Sequence, residues 1–477
     1  MRIPTLNRPI SKHHEFNLAF FLIPMEIWEK DGITAHSFVP PYTYFSENDK
    51  YISSPIGVQE GIKNGKNYYL SFSSFSYLLP YFLFQSLHLE ITALNLQLYN
   101  LFLHLILILF LFKLLLLLFR NKNAALLGST LYLFAPGPLW FHGNAYTHHV
   151  LSVLFFVLTV YYVIKIYQDD KRNILDNVFL VVSSTCLLYT EWIGFLLVFT
   201  LGVIVATKKF KNRRLNNLLA LTLISTGIVS SILYFQYSSF IGWENYISYL
   251  TNRFDVRSSL NNDTTSIFTQ MLHLFKWYII SYGVWIAFIL SILLFQIKKI
   301  RVITTFSKRL DIILLFILPV ILYHIIFMGF TLSHDYSVLI DGVPLSLLCA
   351  FLASKSTFVN THATKITFVL ITFSIVQYYF INRPGEFNQN GDRYDTYMTI
   401  GNSIKKNAQS DETVFIIGTN YAIPSTNPQI MFYAKRNFVS IKEKSEAVTF
   451  LKKQKKYKGI IFYLEDANIE SIERIEI

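Results

Sequence analysis

The chain has 477 residues, of which 52% are hydrophobic and 15% charged, with a formal net charge of +12 and a mean hydropathy of +0.38. A soluble globular domain carries about 25% charged residues, so the composition excludes one and points to a polytopic membrane protein. The Lys and Arg excess lies in short loops between apolar runs, where topology accounts for it, and no nucleic-acid partner is expected.

Residues 1–67 read as a polar first loop; residues 1–12 lack the apolar core of a signal peptide. Within this loop Glu26, Glu29 and Asp31 read as an exposed helix face, the first two at i, i+3 spacing. A span needs about 20 apolar residues. About eleven candidates follow, at 68–87, 99–119, 124–141, 150–167, 177–189, 193–206, 218–235, 278–296, 312–330, 337–353 and 366–381. The run 68–87 is imperfect, with a Ser-rich first half and Pro80, so it is expected to be re-entrant or interfacial. The short runs flanking Glu191 read as a broken pair of the kind that lines polar cavities.

Basic residues alternate along the loops. Arg120 and Lys122, then Lys165, Lys171 and Arg172, then the cluster from Lys208 to Arg214, then Lys298 to Arg309, mark the cytoplasmic ends. The opposite face then receives the first loop, His148-His149, Glu191-Trp192, the long loop 237–277, His334-Asp335-Tyr336 and the C-terminal tail. Beyond Asn382-Arg383-Pro384-Gly385 the composition turns soluble. A strand at 413–418, an amphipathic helix at 445–454 and a second strand at 459–463 predict a small α/β domain over 382–477, after a membrane domain over 68–381.

Cys186 and Cys349 both lie in apolar runs and signal neither a disulfide nor a metal site. CxxC, HExxH, Walker and GxGxxG patterns are absent. Ionisable residues beside a bilayer are costly to place and usually functional, so the candidates come from there. Glu15 can act as a general base towards an alcohol, or it can be a loop carboxylate paired with Lys12. His334, Asp335 and Tyr336, wedged between two spans, can line a cavity or serve as interfacial anchors. Glu191 is a functional candidate by default, and Trp192 can stack on a sugar face. Arg253 and Arg257, four apart, share a helix face and suit phosphate, or form a surface pair balanced by Asp255. His148 and His149 are adjacent, point to different faces of a helix, and have no carboxylate nearby in sequence. No metal site is expected there.

Four stretches together resemble one family. Asn7-Arg8-Pro9 through His13-His14-Glu15, followed by Trp28, Gly32, Pro40, Pro41 and Tyr42, looks like the first exported loop of the GT-C glycosyltransferases. The branch is the bacterial one related to protein O-mannosyltransferases and lipid A aminoarabinose transferases (family 39-like). Ser333-His334-Asp335-Tyr336 with Pro344 is similar to its HDYY…P signature, with Ser337 in place of the second Tyr. Thr190-Glu191-Trp192-Ile193-Gly194 resembles its TDWxG segment, and 428–436, with Tyr433, its P…YYxxR stretch. Two departures stand out: a transmembrane helix normally precedes the Arg-Pro pair, and His148-His149 occupies a position where many members carry an acidic residue.

The resemblance implies an α-helical GT-C membrane protein with a small extracytoplasmic α/β domain, located in the bacterial cytoplasmic membrane. It implies inverting transfer of a hexosyl or pentosyl group from a polyprenyl-phosphate sugar to a cell-envelope glycan, lipid or protein. In that scheme Glu15 is the base, Arg253, Arg257 and His334 hold the donor phosphate, and His14, His149, Glu191, Trp192, Asp335 and Tyr336 line the cavity. No cofactor or metal is required. Two other readings compete: a lipid-linked sugar flippase, which calls for internal repeats that the sequence lacks, and a non-catalytic membrane scaffold.

Overall fold

The computed structural model describes residues 6, 8–50, 52, 61–71, 73–168, 173–208, 211–259, 267–296, 310–385, 387, 396–418, 427–465 and 468–477. The basic cluster expected around 298–309 lies outside them. Helices run in chain order as α1 (Phe16–Asp31), α2 (Phe75–Ser86), α3 (Ala93–Phe119), α4 (Lys122–Phe134), α5 (Pro136–Asn144) and α6 (His148–Gln168). They continue as α7 (Ile174–Thr190), α8 (Ile193–Thr207), α9 (Arg213–Ile241), α10 (Trp243–Ser258), α11 (Ile267–Gln296), α12 (Leu310–Ile326) and α13 (Met328–Ser333). After a 3₁₀ turn at Asp335–Leu339 come α14 (Gly342–Lys355), α15 (Thr357–Thr361) and α16 (Ala363–Val376).

Among the described residues, six helical segments are long and apolar enough to cross a membrane, and α4 with α5 forms a bent pair that passes together at 57°. The apolar helices α7, α8 and Ile313–Ile326 are shorter. The chain is therefore a multi-pass membrane protein. The first of the expected spans, 68–87, contains only the twelve-residue helix α2. At 1.5 Å per residue α2 covers about 18 Å and cannot cross a hydrocarbon core of about 30 Å.

The first loop differs from the polar stretch expected. Phe16–Asp31 is a helix with Leu18, Leu22, Ile23, Met25 and Trp28 completely enclosed, because its apolar run packs on protein. Glu26 is not on an open face: Tyr44 Oη donates to it at 2.9 Å and Lys435 pairs with it.

The C-terminal domain contains α17 (Thr396–Asn407), α18 (Pro428–Ala434) and α19 (Lys444–Lys453). Its strands are β3 (Thr413–Gly418), β4 (Val439–Ile441), β5 (Lys458–Glu465) and β6 (Asn468–Glu476), in the order β4-β3-β5-β6. β4 and β5 run parallel to β3, and β6 closes one edge antiparallel. A two-stranded hairpin in the first loop pairs β1 (Gly61–Lys63) with β2 (Lys66–Tyr68). The domain grips the first loop directly. Ile10 N–H donates to Tyr433 Oη at 2.9 Å, Gln429 returns a bond to the Ile10 carbonyl, and Asn437 N–H donates to Asp49.

Candidate functional site

The site begins with a turn at residues 8–15. Glu15 is fully buried. Its Oε2 accepts the backbone N–H of Ser11 and of Lys12 at 2.9 and 2.8 Å, and both its oxygens pair with the Arg8 guanidinium. His14 completes the turn in the left-handed region at φ +55°, which costs a non-glycine residue about 1–2 kcal/mol. This conformation turns two adjacent imidazoles to one carboxylate. His13 Nε2 lies 2.7 Å from Asp335 Oδ2 and His14 Nε2 lies 2.9 Å from Asp335 Oδ1. Asp335 opens the 3₁₀ turn that follows α13.

A second histidine pair repeats the arrangement. His148 and His149 open α6, while Glu191 ends α7 and is buried. Glu191 Oε2 lies 3.2 Å from His149 Nδ1 and 4.0 Å from His148 Nε2. Glu191 Oε1 accepts the Trp192 N–H at 3.2 Å, and Tyr323 also hydrogen-bonds the carboxylate. Tyr336 stands between the two groups, its ring centroid 4.9 Å from that of His14 and 5.1 Å from that of His149.

The cationic part comes from α10. Arg253 Nε and Arg257 Nη2 both donate to Ser71 Oγ, at 3.0 and 2.7 Å. Arg257 is buried, lies 5.4 Å from the Phe330 ring centroid, and its charge acts on Glu191. The two guanidinium groups thus meet at one neutral hydroxyl. Ser71, Thr190, Glu191 and Trp192 line a cavity of about 440 Å³. Gly329 lets α13 pass close by the end of α10: a Cβ there would meet the Ser259 carbonyl oxygen at 2.1 Å and the Arg257 carbonyl oxygen at 3.0 Å.

His334 stacks on Phe330 at 4.5 Å and lies 5.1 Å from Tyr336. Burial pushes its imidazole down to about 4, so it is neutral at neutral pH. Its Nδ1 faces the Phe330 carbonyl at 3.1 Å. A carbonyl only accepts, so Nδ1 carries the proton and Nε2 is left as an acceptor. In that tautomer Nε2 can accept from a ligand hydroxyl.

The fold thus brings His14, His149, Glu191, Arg257, His334, Asp335 and Tyr336 into one neighbourhood, with Arg253 joined through Ser71 and Trp192 on the cavity wall. Glu15 differs from expectation. Its ion-pair partner is Arg8 rather than Lys12, and its oxygens accept from four N–H donors. Sequence reasoning missed His13, Ser71 and Tyr323. His13 had a signal in its doublet with His14; Ser71 and Tyr323 had none. The groups His13–His14–Asp335 and His148–His149–Glu191 each have ligand atoms within 4.8 Å of one another and so can hold a divalent cation, where no metal site was expected.

No protein-family model and no curated protein matches the sequence. Solved structures do. ArnT from Cupriavidus metallidurans in the apo state superposes with a TM-score of 0.63 at 10% identity, over 97% of this chain and 90% of that one. The same protein bound to undecaprenyl phosphate gives 0.56 at 11% identity, over 94% and 91%. The Archaeoglobus fulgidus oligosaccharyltransferase in complex with Zn and sulfate gives 0.57 at 13% identity, over 96% of this chain and 64% of that one.

Proposed function

Given the GT-C fold that these likenesses establish, we propose that the chain is an integral-membrane glycosyltransferase. It moves a sugar from a polyprenyl-phosphate donor to a glycan, lipid or protein of the cell envelope. One observation carries the reading: Arg253 and Arg257 converge on Ser71 in the cavity that Glu191 and Trp192 line. The neighbour bound to undecaprenyl phosphate supports the choice of donor class.

The chemistry follows from the placement. The donor's phosphodiester sits against the two guanidinium groups, with the sugar between Trp192 and Tyr336. An acceptor hydroxyl attacks the anomeric carbon from the face opposite the phosphate, so the configuration inverts. The new bond joins acceptor oxygen to anomeric carbon, and the carbon–oxygen bond to phosphate breaks. Polyprenyl phosphate leaves, its growing charge held by Arg253 and Arg257. The acceptor's proton goes to the His149–Glu191 pair, Glu191 fixing the tautomer of the imidazole.

Glu15 is assigned a different role: it holds the turn that presents His13 and His14. The reaction runs on these side chains without a required metal. The active site and the C-terminal domain lie on the extracytoplasmic face of a bacterial cytoplasmic membrane, opposite the basic loops.

The test is in vitro transfer from a panel of polyprenyl-phosphate sugars to membrane extracts, with His149→Asn and Glu191→Gln beside wild type. Transfer by wild type and a loss of about 10²-fold or more in both variants is expected. Transfer at the wild-type rate by both variants overturns the assignment of the base. Lipid-sugar translocation without transfer overturns the enzyme reading in favour of a flippase.

A further inference from the structure

Ile10 lies three residues before His13, and both of its backbone polar groups go to one short helix of the C-terminal domain. Its N–H donates to Tyr433 Oη at 2.9 Å, and its carbonyl accepts from Gln429 Nε2 at 3.2 Å. Gln429 and Tyr433 are four apart and share a face of α18. Ile10 and Gln429 are both buried, so losing either bond strands a polar group away from water. α18 is itself fixed from two sides. The Asn427 side chain caps it, accepting from the N–H of Gln429 and of Ile430 at 2.9 and 3.1 Å. α17 lies directly against it at Gly401, where a Cβ would meet Tyr433 Cβ at 2.5 Å and the Ile430 carbonyl oxygen at 2.8 Å.

The exit of α18 holds the rest of the first loop. Lys435 pairs with Glu26 of α1. Asn437, fully buried, accepts the Tyr44 N–H at 2.9 Å and donates to the Tyr44 and Asp49 carbonyls at 2.6 and 2.9 Å. Beyond Ile10 the chain has little slack. The N–H groups of Ser11 and Lys12 are bound by Glu15, the Glu15 N–H donates to the Lys12 carbonyl at 3.0 Å, and His14 is in the left-handed region. A shift at Ile10 is therefore carried to His13 and His14, and through them to Asp335 and the adjoining Tyr336.

We propose that Gln429 and Tyr433 are positioning residues for the transfer reaction: α18 sets the place of His13 and His14, and with them that of Asp335 and Tyr336. The proposal rests on the transferase reading and deepens it, because it makes the C-terminal domain a working part of the site. The two residues act through Ile10 rather than by touching substrate. The donor phosphate is assigned to Arg253 and Arg257, which belong to α10. Loosening α18 should therefore lower kcat and leave the donor KM in place.

The experiment uses the full-length protein in lipid nanodiscs, as wild type, Tyr433→Phe, Gly401→Ala and the control K452Q/K453Q on the exposed face of α19. Tyr433→Phe removes only the hydroxyl that accepts from Ile10. Gly401→Ala displaces α18 without altering any group that touches the first loop. Amide exchange across 8–15 should quicken about tenfold in both variants, with exchange in β3 and β5 unchanged. The ¹⁵N imidazole signals of His13 and His14, assigned with His13→Gln and His14→Gln, should move in both, while that of the exposed His88 stays. Transfer should lose about tenfold in kcat with the donor KM unchanged, and the control should match wild type throughout. Unmoved His13 and His14 signals in both variants overturn the proposal. A raised donor KM with normal kcat also overturns it, since α18 then acts on donor binding. So does loss of protection throughout β3 and β5 in both variants, since α18 then serves only the domain's own fold. Wild type that transfers no sugar refutes the transferase reading alone, because exchange and imidazole signals are read without transfer.

Discussion

Replacing Glu15 with Gln separates a catalytic carboxylate from a structural one. Glu15 accepts from the Arg8 guanidinium and from two backbone N–H groups, with no solvent contact. Gln keeps the size and one carbonyl oxygen, but it turns an amide NH2 towards donors and removes the Glu15 charge from Arg8, itself only 16% exposed. Breaking a buried ion pair by removing one partner costs about 3–5 kcal/mol. Because one acceptor oxygen survives, about 3 kcal/mol is expected. This loss should appear as faster amide hydrogen exchange across residues 8–17 of the purified protein. Removing Arg8 as well should recover part of it, about 2 kcal/mol of coupling in the Arg8→Gln/Glu15→Gln cycle. Turnover falls in the single variant because His13 and His14 lose their turn, and it recovers partly in the double variant. A 10²-fold fall in kcat with exchange at 8–17 unchanged, and with no recovery on adding Arg8→Gln, would refute the structural role and return Glu15 to the position of base.

Further outcomes follow from the same geometry. Arg257→Ala should raise KM for the lipid donor at least tenfold and leave acceptor KM little changed, in a transfer assay that varies each substrate separately. Gly329→Ala should behave similarly without touching any ligand, because its methyl group pushes the Arg257 and Ser259 backbone away; a normal donor KM would show that the α10–α13 approach does not position the arginine. The His334 imidazole is held at about 4, below its unfolded value of 6.5. Its contribution to stability is therefore complete above pH 6.5 and lost as the pH falls towards 4, whereas His334→Gln should flatten that part of the stability–pH curve measured by unfolding. Excess Zn²⁺ should inhibit transfer reversibly by capturing the imidazoles of His13, His14, His148 or His149, with full recovery on chelation.

What was legible in the sequence was the bundle and the soluble domain. Apolar runs of span length and the alternation of basic loops fix the first, and the strand and helix patterns of β3, β5 and α19 gave the second nearly to the residue. α1 was not legible. Its apolar run, with Pro24 inside, is too short for a span; only its end, with Glu26, Glu29 and Asp31, reads as a helix face, and the apolar part shows itself only when a protein surface is present to bury it. The roles of the candidate site residues depend on contacts that no local pattern encodes. His13 and Asp335 are 322 positions apart, and Glu15 is defined by an arginine seven residues earlier together with a left-handed backbone at His14.

The two histidine doublets show why reading them by helix geometry misleads. On a regular helix, neighbouring side chains diverge by about 100°, which argues against a shared ligand. Neither doublet lies in a helix interior: His13-His14 occupies a turn with one residue in the left-handed region, and His148-His149 forms the first two residues of α6. At such places both imidazoles can face one carboxylate, and the carboxylate arrives from elsewhere in the chain, as Asp335 and Glu191 do. Each carboxylate is then surrounded by hydrogen-bond donors that need not be charged. Arg253 and Arg257 meet at Ser71, which lies on the wall of the cavity of about 440 Å³. Under the proposed function the arginines take the phosphate and the imidazoles manage protons.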